Sequence, residues 1–169
     1  MSILHSLFRY KAWANDQLLA CVGKLDPGTQ NDARHLAIRI LNHTYVVDRI
    51  FAAHLTGTAH SYTFANTAET PTLDELRSAI AESDRWYLDY ASSITPKQLA
   101  EPIAFAFTDG DRGRMTREEM LLHITTHGGY HRGGVGRILS QAGVQPPRDI
   151  FTTYLHTSEP ERRGVPETA

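Results

Sequence analysis

Four long segments of the chain repeat their apolar residues with the period of an α-helix, and this pattern limits the fold more than any other feature. They span about residues 2–22, 32–55, 72–94 and 116–142. In each segment the apolar residues recur at steps of three and four, as expected of a helix that buries one face. The sequence therefore predicts an all-α fold, a four-helix bundle.

Turn and capping residues mark where these helices begin and end. Thr72 with Glu75, and Thr116 with Glu119, form the capping-box pattern that opens a helix. Glycine follows the second and the fourth segment, where it is a typical helix end, at Gly57 and Gly143.

The connection before the last long helix has a different pattern. Residues 102–114 contain Asp109-Gly110, which predicts a short β-ribbon or an ordered loop. After that helix, residues 150–155 are expected to be ordered and to pack on the bundle. From residue 157 the chain is rich in Glu, Arg, Pro and Thr. We therefore predict a single domain over residues 1–156 and a flexible tail over 157–169.

Composition excludes several classes of partner. The 169 residues carry a net charge of −2 with scattered basic residues, so no basic face for nucleic acid is expected. No apolar run approaches the roughly 18 residues that span a bilayer, so no membrane partner is expected. Cys21 is the only cysteine, which rules out an intrachain disulfide and favours a reducing, cytoplasmic location.

Histidine is unusually frequent in this chain. There are nine histidines, and three of them lie in the fourth helix. Histidines at positions i and i+4 can reach one metal ion. His123 and His131 are about 12 Å apart along the axis, so the pair is either 123/127 or 127/131. His123 falls about 80° to the side of the apolar stripe, whereas the other two lie near its centre. That stripe is Met120, Ile124, His127, His131, Val135, Ile138 and Ala142.

The third ligand must come from another helix, and His43 is the best candidate. It occupies a core position in the middle of the second helix, where an apolar residue would ordinarily lie. His54 shares its face but lies about 16 Å further along, too far to join the same ion. The stripe is Leu36, Ile40, His43, Val47, Ile50 and His54. We therefore predict that His43, His127 and His131 bind a divalent metal; the alternative is three hydrogen-bonded core histidines.

The remaining histidines and two charged residues are assigned to other roles. His123 is expected at a helix–helix boundary or bonded to a backbone carbonyl. Asp48 is expected to point away from the metal and form a surface ion pair or a helix contact. Arg132 is expected in a surface salt bridge. The histidines near segment ends or in loops are interpreted as surface residues: His5, His35, His60 and His156.

Three motifs resemble the DinB-like, damage-inducible protein family. They are Tyr10-Lys-Ala-Trp13-Ala-Asn15, Leu41-Asn-His-Thr-Tyr-Val-Val-Asp48 and Leu122-His-Ile-Thr-Thr-His-Gly-Gly-Tyr-His-Arg-Gly133. The resemblance implies an up-down-down-up bundle, usually dimeric. It also implies zinc or nickel on three histidines that match His43, His127 and His131. Gly134 stands where the family usually has glutamine, next to the ligands but not among them.

Three neutral imidazoles would leave a divalent ion with open positions, which is typical of a catalytic site. The zinc-protease pattern His-Glu-x-x-His is absent, because Ile124 follows His123 and Gly128 follows His127. The resemblance also implies a wider bundle superfamily, some of whose members are thiol-dependent S-transferases that use the metal to activate bacillithiol, mycothiol or glutathione. The leading hypothesis is therefore a metal-dependent thiol S-transferase with a small-molecule substrate. The alternatives are a metal-dependent hydrolase of a small molecule and a non-enzymatic metal-binding stress protein.

Overall fold

Six α-helices and one β-ribbon form the part of the chain that the computed structural model describes, residues 2–164. The four long helices are α1 (Ile3–Val22), α2 (Asn31–Thr56), α3 (Leu73–Ser93) and α5 (Arg117–Gln141). The shorter elements are α4 (Pro96–Leu99), β1 (Pro102–Ala106), β2 (Arg112–Thr116), α6 (Phe151–Ser158) and a 3-10 turn (Pro160–Arg163). The predicted all-α bundle with a short ribbon is confirmed.

The predicted capping residues form the helix ends. The hydroxyls of Thr72 and Thr116 accept from the backbone N–H of Glu75 and Glu119, and each glutamate reaches back to the threonine N–H. Gly57 ends α2 with a φ of +69°, a left-handed conformation that favours glycine.

Two apolar clusters fix the directions of the long helices. One cluster joins the C-terminal halves of α1 and α5 to the N-terminal halves of α2 and α3; it includes Leu18, Val22, Leu41, Leu76 and Leu139. The other joins the opposite halves; it includes Phe8, Phe51, Tyr87, Leu121 and Ile124. Helices α1 and α5 are therefore parallel to each other and antiparallel to α2 and α3, which gives the up-down-down-up bundle. Helices α2 and α5 pack side by side, and α3 packs on the other flank of α2.

The ribbon covers the end of α2. Strands β1 and β2 pair in antiparallel register, from Pro102 opposite Thr116 to Ala106 opposite Arg112. The Phe105 ring lies across the ribbon at Gly113, where an added Cβ would stand 2.5 Å from the ring.

The inward faces differ in detail from the predicted stripes. Leu36, predicted to face the core, is exposed. In α5 the most buried line includes Gly128 and Arg132, while His127 and His131 lie half-buried beside it. The prediction placed the two histidines at the centre of the stripe because it counted only apolar and histidine positions.

The C-terminal segment packs on α1, as expected, through Tyr154 against Trp13, with ring centroids 5.8 Å apart. Regular structure extends to residue 163; the predicted flexible tail from residue 157 stays a prediction, and residues 165–169 lie outside the described part. None of the helices within residues 2–164 is long and apolar enough to cross a membrane.

Candidate metal centre

Three imidazoles from two neighbouring helices meet on the α5 flank of α2. His43 comes from α2, and His127 and His131 come from successive turns of α5; one nitrogen of each lies within 4.8 Å of the others. The Nε2 atoms of His43 and His127 are 3.2 Å apart. Two nitrogens bound to one tetrahedral zinc at the usual bond length lie roughly 3.4 Å apart. This group could therefore hold a metal ion.

A backbone carbonyl fixes the orientation of His43. The Nδ1 atom of His43 lies 2.6 Å from the carbonyl oxygen of Ala65, in the loop that follows α2. Since a carbonyl only accepts, Nδ1 carries the proton and the Nε2 lone pair is directed at the other two imidazoles. Ligand histidines in metal sites usually have such a partner.

Side chains of α2 clamp this loop in place. The Asn42 amide donates to Asn66 Oδ1 at 2.5 Å and to Thr67 Oγ1 at 2.6 Å. The Arg39 guanidinium donates to the Thr67 carbonyl at 2.7 Å, and the Asn66 amide donates to the Arg39 carbonyl at 3.0 Å. Because Ala65 directly precedes this clamp, its carbonyl is held over His43.

The two imidazoles that α5 contributes are held in the neutral form. Burial, followed by the charges of His131, His43 and His123, lowers the pKa of His127 to about 3. Burial and then the charge of His43 also lower the pKa of His131. Neutral imidazole is the form that binds metals, so a cation would displace few protons here. The Nδ1 atom of His127 is buried without a hydrogen-bond partner among the described residues.

The neighbouring histidines stay outside the group. His123 stacks on Phe51 of α2 at 4.8 Å, which confirms the predicted helix–helix boundary. His54 packs on Phe105 at 5.0 Å and on His60 at 5.4 Å, near the end of α2. Of the four histidines interpreted as surface residues, His35 is exposed, whereas His5, His60 and His156 are half-buried. His60 is covered because its ring packs against His54 near the end of α2.

The charged residues behind the site are buried, contrary to the surface roles expected for Asp48 and Arg132. Asp48 is not on the surface: it accepts from Lys11 Nζ at 2.7 Å in the core, and Asp84 accepts from the same nitrogen at 2.6 Å. Arg132 does form the predicted salt bridge, to Asp149 at 2.7 Å, but its guanidinium is buried.

The sequence alone led to no role for Lys11 or Asp84. The signal was present, since Lys11 lies one turn after Phe8 and Asp84 lies one turn after Ile80, both on inward faces. A charge at an inward position of one helix is a reason to search the other helices for its partner.

The comparisons with known proteins agree with the motifs. The model of the DinB family matches residues 1–163 of the chain. Protein DinB of Bacillus subtilis (strain 168) is 23% identical over 170 residues, covering 92% of this chain and 95% of that protein. No solved structure matches the chain.

Proposed function

The chain belongs to the DinB family, and we propose that it binds one divalent ion, zinc or nickel, through His43, His127 and His131. The observation that carries the proposal is the convergence of three imidazole nitrogens within 4.8 Å. The Ala65 carbonyl supports it by presenting the Nε2 lone pair of His43 to the group.

Metal analysis of untagged protein, purified without chelator or a nickel column, tests this proposal. We expect about one equivalent of transition metal per chain, and less than a tenth of an equivalent would refute it. His43→Ala, His127→Ala and His131→Ala should each lose the ion. His123→Ala and His54→Ala are the matched controls, because both histidines lie nearby and outside the group.

The activity we propose is metal-dependent transfer of a low-molecular-weight thiol to an electrophilic acceptor. A bound divalent ion would supply positive charge that lowers the pKa of a thiol placed on it. The chain supplies three neutral ligands, and the group formed by its described residues contains no carboxylate to serve as a base for water. A thiol needs less help than water, because its ordinary pKa is about 8.5.

The thiol would come from the substrate rather than from the chain. Cys21 is buried in the apolar cluster with Leu18 and Val22. His131 is itself half-buried, so at least one ligand borders the surface of the single chain. This position is compatible with a small molecule that approaches from solvent.

An activity screen separates this proposal from its alternatives. Zinc- or nickel-loaded protein is offered glutathione, bacillithiol or mycothiol with an electrophile; we expect metal-dependent conjugation that His131→Ala abolishes and His123→Ala retains. Metal-dependent cleavage of an ester or amide panel, without conjugation, would replace it with a hydrolase. If metal removal only lowers the melting temperature, the ion is structural and the chain is a non-enzymatic metal-binding protein.

We further propose that the protein forms a homodimer and is located in the cytoplasm. Leu122 and Tyr130 are exposed on the outer side of α5. On the same helix Gly133 has open space around it, which would permit a second helix to approach closely. The cytoplasmic location follows from the expectation attached to the single cysteine and stays a prediction.

A further inference from the structure

A second cleft lies on the other flank of α2, which faces α3 rather than α5. Its volume is about 540 Å³. Ala52 and Ala53 of α2 line it together with Trp86 of α3 and the loop after Gly57. The two alanines leave room that longer side chains would fill. The three histidines of the candidate metal centre are not among the lining residues.

The polar groups of this cleft suit an anion. Arg49 lines it and forms no ion pair within residues 2–164. His60 also lines it, and its Nδ1 atom is buried without a hydrogen-bond partner in the described part of the chain. The hydroxyl-bearing residues Thr58, Ser61 and Tyr62 add possible donors. None of the described residues along the cleft is acidic.

The ring of His60 is held in position by the aromatic side chains packed against it. Its ring packs edge-on against His54, with centroids 5.4 Å apart and planes at 76°. His54 is itself held against Phe105 of the ribbon at 5.0 Å. A histidine placed in this way can donate from Nδ1 without the entropy cost of ordering a free side chain.

We propose that this cleft binds a small oxyanion, the phosphate or carboxylate group of a small molecule. The guanidinium of Arg49 is the principal partner, because its planar donors match the oxygens of either group. His60 Nδ1–H and the nearby hydroxyls complete the hydrogen bonds. Trp86 provides a flat wall for the rest of the ligand. This site is independent of the proposed metal chemistry.

An NMR titration of isotope-labelled, zinc-loaded protein tests the proposal with inorganic phosphate as the probe. We expect saturable shifts at the amides of Ser61 and Tyr62 and at the Trp86 indole. Arg49→Gln should weaken binding by about tenfold or more, as expected when a charge-assisted hydrogen bond is lost. Arg85→Gln is the matched control: it removes the same charge from an exposed position next to Trp86, outside the cleft.

An acetate titration and a second variant complete the test of the oxyanion site. A parallel acetate titration distinguishes a carboxylate site from a phosphate site, and saturable binding of either anion at these residues supports the proposal. His60→Ala, expected to weaken binding several-fold, keeps the test informative if Arg49→Gln fails to fold. Shifts confined to the surroundings of His127, shifts that do not saturate, or equal affinities for Arg49→Gln and Arg85→Gln would overturn it.

Discussion

At the scale of single residues, the carbonyl of Ala65 determines which nitrogen of His43 is available. It accepts the Nδ1 proton at 2.6 Å, and Asn42 holds the loop that carries it. Asn42 touches no ligand atom, so its influence on the site passes through the loop. It is a positioning residue for the candidate metal centre.

Replacing Asn42 should therefore weaken metal binding without removing a ligand. We expect Asn42→Ala to lower zinc affinity about tenfold or more, the usual effect of losing an outer partner of a ligand histidine. A competition titration with a zinc-sensitive dye measures it. Asn31→Ala, at an exposed position of the same helix, is the control. Equal affinities for the two variants would show that the clamp does not act on His43.

His54 should make the stability of the protein sensitive to acid. Burial and then the charge of His60 lower its pKa in the folded state below the ordinary 6.5. Below pH 6.5 the unfolded chain therefore takes up this proton more readily than the folded chain, and stability is lost as pH falls. Urea unfolding at pH 7.5 and 5.5 should show a smaller acid loss for His54→Gln than for His35→Gln, an exposed control. Equal losses would contradict the prediction.

The three proposed ligands could be predicted from the sequence because helical phase depends only on spacing. His43 interrupts an apolar stripe, and His127 and His131 repeat at four residues. The Ala65 carbonyl could not be predicted, since it belongs to a loop whose path depends on hydrogen bonds from α2. Helical phase shows which residues of one helix face inward, but it does not show which residues of other helices they contact. The pairing of Lys11 with Asp48 and Asp84, which lie on different helices, therefore could not be predicted.

At the scale of elements, the long helices were predictable from local signals. Thr72 and Thr116 satisfy backbone groups within three residues of themselves, so their caps need no knowledge of the fold. For the ribbon, local signals left two alternatives open, a β-ribbon or an ordered loop. The deciding contact is the packing of Phe105 on Phe51 of α2, at 5.8 Å, which is distant in sequence.

The ribbon should be intolerant of any side chain at Gly113. A Cβ there would stand 2.5 Å from the Phe105 ring, so the ring would leave its place against α2. We expect Gly113→Ala to destabilise the protein by about 1–3 kcal/mol, the usual cost of overpacking. Thermal or urea unfolding measures it.

Gly134→Ala is the matched comparison for this substitution. Gly134 lies in helix α5 with no side chain or distant backbone within 4 Å of an added Cβ. Alanine there should stabilise the chain by about 0.5–1 kcal/mol, since glycine is the poorer helix former. If Gly113→Ala behaves like Gly134→Ala, the Phe105 ring does not depend on Gly113.

At the scale of the whole molecule, a buried ion cluster joins helices α1, α2 and α3. Lys11 is 2% exposed and donates to both Asp48 and Asp84. Burial lowers the pKa of Lys11, but the two aspartates outweigh it and raise the pKa overall. Burial raises the pKa of Asp48 to about 6 in spite of Lys11. The cluster is therefore costly to desolvate and depends on its cation.

Removing that cation should be strongly destabilising. Lys11→Met would leave two carboxylates buried side by side, and we expect a loss of about 3–5 kcal/mol in the free energy of unfolding. The triple variant with Asp48→Asn and Asp84→Asn removes the charges together and should recover most of the loss. Urea unfolding at pH 7 measures both. A loss below about 1 kcal/mol for Lys11→Met would mean that the carboxylates find other partners.

The homodimer is tested by light scattering across micromolar concentrations. We expect twice the mass of the 18.9 kDa chain. Tyr130→Glu should shift the protein towards monomer if the outer side of α5 is the interface, because it places a charge at a position that is 79% exposed in the single chain. A monomer mass for the unchanged protein at all concentrations would refute the dimer.

The order of the helices along the chain has a consequence for how long the protein survives. An ion bound to both His43 and His127 would tie together positions 84 residues apart. Because the unfolded chain has no such site, the ion would stabilise only the folded chain, by about 2.7 kcal/mol at a free metal concentration 100 times its Kd. Proteases that must unfold the chain before cleaving it would then act on a protein whose stability depends on the concentration of free metal. The cellular lifetime of the protein would rise and fall with that supply.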